Sequence, residues 1–192
     1  MLTDKQQEEF ASLRVEIIDL NVLCYFFVKK VNRLGFLMKE TTREYVLEEL
    51  VALRYMENGL ILHLTNLDDD SSDFSFWEAS KELHRTFKDQ KQLKVLFKSL
   101  KDYRRHINTL KVKHRNKRIA HLNNDKDLGF DEFLIFGNAL KPLILEANTI
   151  ADEMWGKPIE IKFKLGSMEG LIDFREAIND LAIDLHKIDG FN

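Results

Sequence analysis

Between Phe10 and Leu34, apolar residues recur at alternating spacings of three and four: Phe10, Leu13, Ile17, Leu20, Cys24, Phe27, Val31 and Leu34. One continuous stripe of this kind fits one face of a long helix and nothing else in the ordinary repertoire. The spacing predicts a helix over 4–34. Thr3 and Gln6 offer a capping box at its start. Lys29, Lys30 and Arg33 suit the negative end of its dipole, and Gly35 offers a C-cap. A helix this long needs other long helices to cover its apolar face.

The rest of the chain supplies them. A second helix is expected over 42–66, capped by Thr41 with Glu44, with Leu50, Leu53, Leu60, Leu64 and Leu67 facing inward. "DDDSSD", 68–73, reads as a turn; its acids lack the spacing of a calcium loop and suit helix caps instead. A third helix opens with Ser75 and Glu78 and carries Phe76, Trp77, Leu83 and Phe87. After a break near Asp89-Gln90, a fourth is expected over 92–121. A fifth covers 131–155, closed by Gly156 and Pro158. "IEIKFKL", 159–165, alternates with period two and can form a short strand, although no partner is evident. A last helix is expected over 168–187. Only two prolines and eight glycines interrupt the chain, and 44% of it is hydrophobic. The fold class is therefore all-α, an antiparallel bundle of long helices in a single domain over 1–192, with 159–192 as an appendage of no assigned role.

The polar start, "MLTDKQQEEF", lacks the basic and apolar blocks of a signal peptide, and "VLCYFFV" is too short for a bilayer span, which needs about 20 residues. A soluble, cytoplasmic protein with no membrane partner is expected. The single Cys24 sits in an apolar run, consistent with a reducing compartment.

Charge is distributed unevenly. The net charge is −3, yet residues 98–118 hold nine Lys or Arg against one acid, Asp102, a segment of +8. The remainder sums to −11. Such a focused field favours a phosphate-bearing ligand. Within the fourth helix the inward stripe runs Leu96, Leu100, Tyr103, Ile107, Leu110, His114, Lys117, His121. Five apolar positions are followed by three ionisable ones, so a core seam becomes a charged seam. A helix that simply leaves the core at Leu110 explains this, with its basic end favoured by the dipole. A seam that meets a ligand or a partner explains it equally.

Several chemistries are disfavoured. His114 and His121 lie about 10 Å apart along a helix, too far to share a zinc ion. His63, His84, His106 and His186 are scattered. No nucleophilic Ser or Cys with a base is visible, nor a glycine-rich phosphate loop. No metal and no cofactor is expected. A histidine near arginines, without a metal, is equipment for RNA cleavage through the 2′-hydroxyl. The imidazole moves a proton near neutral pH, and a guanidinium holds the phosphate and its transition-state charge.

"RNKRIAH", 115–121, resembles the Arg-x(4–6)-His motif of the HEPN domains, and "HRNKRIAHLNN" is similar to their abortive-infection branch. The resemblance maps the motif arginine to Arg115, the adjacent polar residue to Asn116 and the histidine to His121. Its helical layout extends over most of residues 1–155. It implies a helical bundle, usually a homodimer with the motifs facing each other, and in many members a metal-independent ribonuclease of toxin–antitoxin or phage-defence systems. Other members bind nucleotides or partners without catalysis, and a separately encoded antitoxin is common in some branches.

On that reading Arg115, Asn116 and His121 are the catalytic set. Lys111, Lys113, His114, Lys117 and Arg118 bind RNA phosphates. On an unbroken helix Arg115 and His121 are about 9 Å apart along the axis and roughly 120° apart around it. Either the helix ends before His121 or two chains complete one site. A non-catalytic module binding RNA, a nucleotide or an antitoxin is the alternative, and a purely structural bundle is the third.

Overall fold

The computed structural model describes residues 10–86, 90–113, 115, 139–160, 162–171 and 174–180. The first helix, α1, covers Ala11–Val31. The predicted stripe is its inner face: Leu13, Ile17, Leu20, Cys24, Phe27 and Val31 are all buried. Glu16, Asn21 and Val28 are buried too, because α1 lies among several helices. Burial pushes the Cys24 thiol up to about 12, so it packs as a small apolar group. The expected caps at Thr3 and Gln6 lie outside the described residues.

The long first helix is broken where it was expected to run on. Asn32 and Arg33 make a turn, and α2 follows over Leu34–Glu40. Gly35 is therefore buried inside α2 and closes nothing. Arg33 keeps right-handed dihedrals (φ −91°, ψ −12°), so the chain bends there without a left-handed residue. Helix α3 covers Arg43–Asn66, and its N-cap is Thr42, one residue later than expected. The Thr42 hydroxyl accepts from the Tyr45 N–H at 3.3 Å. Thr41 is already committed, donating to the Leu37 carbonyl at 2.6 Å at the end of α2.

Helix α4, Phe76–Thr86, opens as predicted, with the Ser75 hydroxyl accepting from the Glu78 N–H at 3.1 Å. Helix α5 covers Gln90–Leu110 and buries the predicted seam of Leu96, Leu100, Tyr103, Ile107 and Leu110. Helix α6 covers Lys141–Trp155 and ends at Gly156, which takes φ 75° as a left-handed cap. The portion of the fifth helix expected over 131–138 lies outside the described residues.

The C-terminal segment differs most from expectation. Strand β1, Lys162–Leu165, does have a partner: β2, Met168–Leu171, pairs with it antiparallel. Met168 therefore starts a strand and not the last helix. The two-residue connection has Gly166 at φ 60°, the backbone that a tight hairpin demands and that other residues resist. The described part of the last helix, α7, covers only Phe174–Asp180.

The architecture is an all-α helical bundle with one small hairpin appended. Helix α1 packs on α3, α6 and α7, while α5 packs on α6, α3 and α4. Helix α7 is fastened by buried Phe174 and Ile178 and by Arg175, which holds Asp152 of α6 at 2.6 and 2.8 Å. At the centre, Asn21 and Asn148 exchange hydrogen bonds of 2.7 and 2.8 Å, joining α1 to α6. His63 Nδ1 and Glu16 Oε1 face each other at 3.0 Å between α3 and α1. No helix among the described residues is long and apolar enough to cross a membrane.

Candidate nucleic-acid interface

Helix α5 carries a second row of side chains one position on from its buried seam: Phe97, Lys101, Arg104, Asn108 and Lys111, at spacings of four and three. Beyond Leu110 the helix widens, and residues 111–113 and 115 wind as a π turn. Such turns are uncommon and occur often at functional sites. Arg115 is the last described residue of that turn.

Arg104 and Lys111 of this row meet the acidic turn after α3. Leu67 ends α3, and the Phe76 N–H closes the loop onto the Leu67 carbonyl at 2.8 Å. Asp68, Asp69 and Asp70 are thereby carried to the flank of α5. Asp68 is the hub, with its side chain 2% exposed. Its carboxylate accepts from the Trp77 indole N–H at 2.8 Å, from Arg104 Nε at 2.8 Å and from Lys111 Nζ at 2.6 Å. Its carbonyl accepts from Arg104 and from Lys111, both at 3.1 Å. A buried carboxylate is tolerable because three donors saturate it. Arg104 reaches further to Asp70 at 2.7 Å and stacks over the Trp77 ring, 4.3 Å from its centroid.

Arg115 is held separately. Its Nη2 donates to Asp69 Oδ2 at 3.1 Å. The other oxygen of Asp69 accepts from the Ser71 N–H at 3.0 Å and the Ser71 hydroxyl at 2.7 Å. The Ser71 bonds, and after them Arg115, pull the Asp69 carboxyl down to about 2 against its partial burial. For Arg104, burial opposes the charge, but the Asp70 and Asp68 carboxylates outweigh it and raise its pKa.

The acids of the turn, weighed from sequence as caps, therefore serve chiefly as counter-ions to the basic segment. Three cations, Arg104, Lys111 and Arg115, are matched by three carboxylates, Asp68, Asp69 and Asp70. The +8 segment is thus partly neutralised. What remains open is a row on the solvent side of α5: Lys94, Lys98 and Lys101 are exposed and form no ion pair among the described residues, and the same holds for Lys113. Arg105 extends the row and pairs with Asp102 at 3.1 Å.

Of the residues singled out from sequence, the structure brings Lys111 and Arg115 onto one acidic turn and leaves Lys113 exposed. His114, Asn116, Lys117, Arg118 and His121 lie outside the described residues. So does Phe130. Tyr103 is core, with its hydroxyl donating to the Leu64 carbonyl at 2.8 Å. Sequence reasoning missed the pairing of residues 68–70 with the basic helix. Opposite charge in the two segments was the available signal, but nothing in the spacing fixed their contact. It also missed Trp77, His84 and Phe97, three rings from two helices that meet beside this cluster. No family model, curated protein or solved structure matches the chain.

Proposed function

We propose that this protein is a metal-independent endoribonuclease of a toxin–antitoxin or phage-defence system, acting through Arg115 and His121 at a homodimer interface. The observation that carries the reading is the string "RNKRIAH", similar to the HEPN motif, which follows in sequence on the most basic of the described helices of an all-α bundle. Supporting it, Arg115 already holds an anion: a carboxylate oxygen sits 3.1 Å from its guanidinium, the kind of partner a phosphate oxygen would replace.

In the proposed reaction His121 takes the proton of a ribose 2′-hydroxyl, and that oxygen attacks the adjacent phosphorus. The bond from phosphorus to the 5′-oxygen breaks. The departing oxygen takes a proton from the second histidine of the dimer, leaving a cyclic phosphate. Arg115 stabilises the charge on the phosphoryl oxygens, and Asn116 orients the phosphate or the histidine. Lys111, Lys113, His114, Lys117 and Arg118 hold the strand. RNA and a second copy of the chain are the partners, and a separately encoded antitoxin would restrain the enzyme.

A second reading has its own observation. An arginine and a lysine already paired with carboxylates are poorly placed for catalysis, which favours a non-catalytic module that binds RNA, a nucleotide or an antitoxin. One comparison separates the two. RNA cleavage in EDTA by the unaltered protein, abolished in His121→Ala, together with growth arrest relieved by Arg115→Ala, establishes the enzyme. Salt-sensitive RNA binding without turnover establishes the module.

A further inference from the structure

Between helices α4 and α5, beside the acidic turn, lies an open groove of about 520 Å³, lined mostly by apolar surface. Trp77, Ser80, Lys81 and His84 follow one another on a single face of α4, at spacings of three, one and three. Phe97 faces them from α5, and the His84 and Phe97 rings meet edge-on with centroids 6.2 Å apart. Asp70 closes one end of the groove. Arg104, about two turns on from Phe97 in the same α5 row, packs over Trp77 and ties that ring to Asp70. The groove thus ends on the same turn that holds Lys111 and Arg115.

Two independent features define what fits there. Rings from two helices line the groove, and stacking on their open faces is indifferent to base identity because every base has a π face. Alongside runs the exposed row Lys94, Lys98 and Lys101, which has no ion pair among the described residues and complements a chain of phosphates. Helix α5 alone carries six basic residues against one acid, a net +5. A neutral apolar ligand would leave that row without a counterpart, and an acidic peptide would leave the rings without planar partners.

We infer that the groove between Trp77, His84 and Phe97 is a nucleobase-stacking subsite for single-stranded RNA. It holds bases of the strand whose phosphates track along α5 toward Arg115. The inference rests on the RNA-directed reading and adds to it a place where unpaired bases are held. The row from Phe97 to Lys111 spans about 21 Å, so the stacked bases lie several nucleotides from the motif. Recognition there is of single strands, since a duplex keeps its bases stacked on one another.

The test uses the full chain with Trp155→Phe, which leaves Trp77 as the sole indole. Short oligoadenylate, duplex RNA, inorganic polyphosphate and polyglutamate are titrated while Trp77 fluorescence is followed. Oligoadenylate is expected to quench Trp77 strongly, and polyphosphate to bind without comparable quenching. Phe97→Ala should weaken oligoadenylate binding about tenfold, within the range for loss of one stacked base, and leave polyphosphate affinity unchanged. Phe97→Tyr, which keeps a ring, should retain binding and shows that the groove tolerates substitution. Equal oligoadenylate affinity in Phe97→Ala, with binding still weakened by Arg115→Ala, overturns the subsite while the RNA reading stands. No oligoadenylate binding by the parent protein overturns both. Duplex RNA or polyglutamate quenching Trp77 as strongly as oligoadenylate overturns the assignment to unpaired bases.

Discussion

If Arg115 serves a phosphate, Asp69 is its resident competitor, and Asp69→Asn is the substitution that exposes the competition. Asparagine has the same shape and keeps an oxygen to accept from the Ser71 N–H and hydroxyl, so the turn should persist. What is lost is the charge facing Arg115. That pair is a single hydrogen bond of 3.1 Å between side chains 31% and 24% exposed, so solvent screens it. Partly exposed pairs of this kind contribute up to about 1 kcal/mol. Releasing it should tighten single-stranded RNA binding about fivefold at low salt, with the gain shrinking as salt rises. Fluorescence anisotropy on a labelled oligonucleotide measures this directly. The decisive measurement is the double-variant cycle with Arg115→Ala, in which Asp69→Asn should change little. Weaker binding by Asp69→Asn would mean that the carboxylate aims the arginine. The same gain in both backgrounds would mean that Asp69 acts through the general field and not through Arg115. Either result refutes competition at this side chain.

Other substitutions probe the frame around the site. Asp68→Ala should cost about 3 kcal/mol in denaturant unfolding, because it strips a shared acceptor from Trp77, Arg104 and Lys111; a change below about 0.5 kcal/mol would show that the hub is solvated. Asn148→Leu should cost about 2 kcal/mol by leaving Asn21 without its partner, and adding Asn21→Leu should recover part of that loss. The His63 pKa is raised, first by its bond to Glu16, so this pair contributes fully below pH 6.5 and its contribution disappears as pH rises through the higher folded value. A Glu16→Gln variant should therefore lose stability relative to the parent at pH 6 and much less at pH 9. The Asp69 carboxyl acts in the opposite direction, contributing above about pH 3.8 and losing that contribution as pH falls toward about 2.

Helix existence and facing were legible because periodicity reports burial directly. The stripe in α1 and the apolar part of the stripe in α5, Leu96 through Leu110, are buried where the spacing put them. Boundaries were less legible, because a cap is a contest between neighbours: Thr41 and Thr42 are chemically equivalent caps, and only the end of α2 decides between them. The hairpin was missed because β2, Met168–Leu171, is exposed at all four positions and so has no alternation to read. At the candidate site the cations were legible as composition. Their partners were not, since Asp68 and Lys111 are 43 residues apart and only packing of α3 against α5 brings them together. The aromatic groove was hidden for the same reason: Trp77 and Phe97 each look like ordinary members of an amphipathic helix.

The widened turn at residues 111–113 and 115 has a consequence for how the motif is aimed. In regular winding each residue advances about 100° around the axis. A π turn, with its bonds reaching one residue further, advances less. It therefore acts as a dislocation in the helical lattice: side chains through Leu110 stay in phase with the bundle core, and Arg115 stands out of phase with them. The angular setting of Arg115 is thus shifted from the row that a regular continuation of Leu96 through Leu110 would give it.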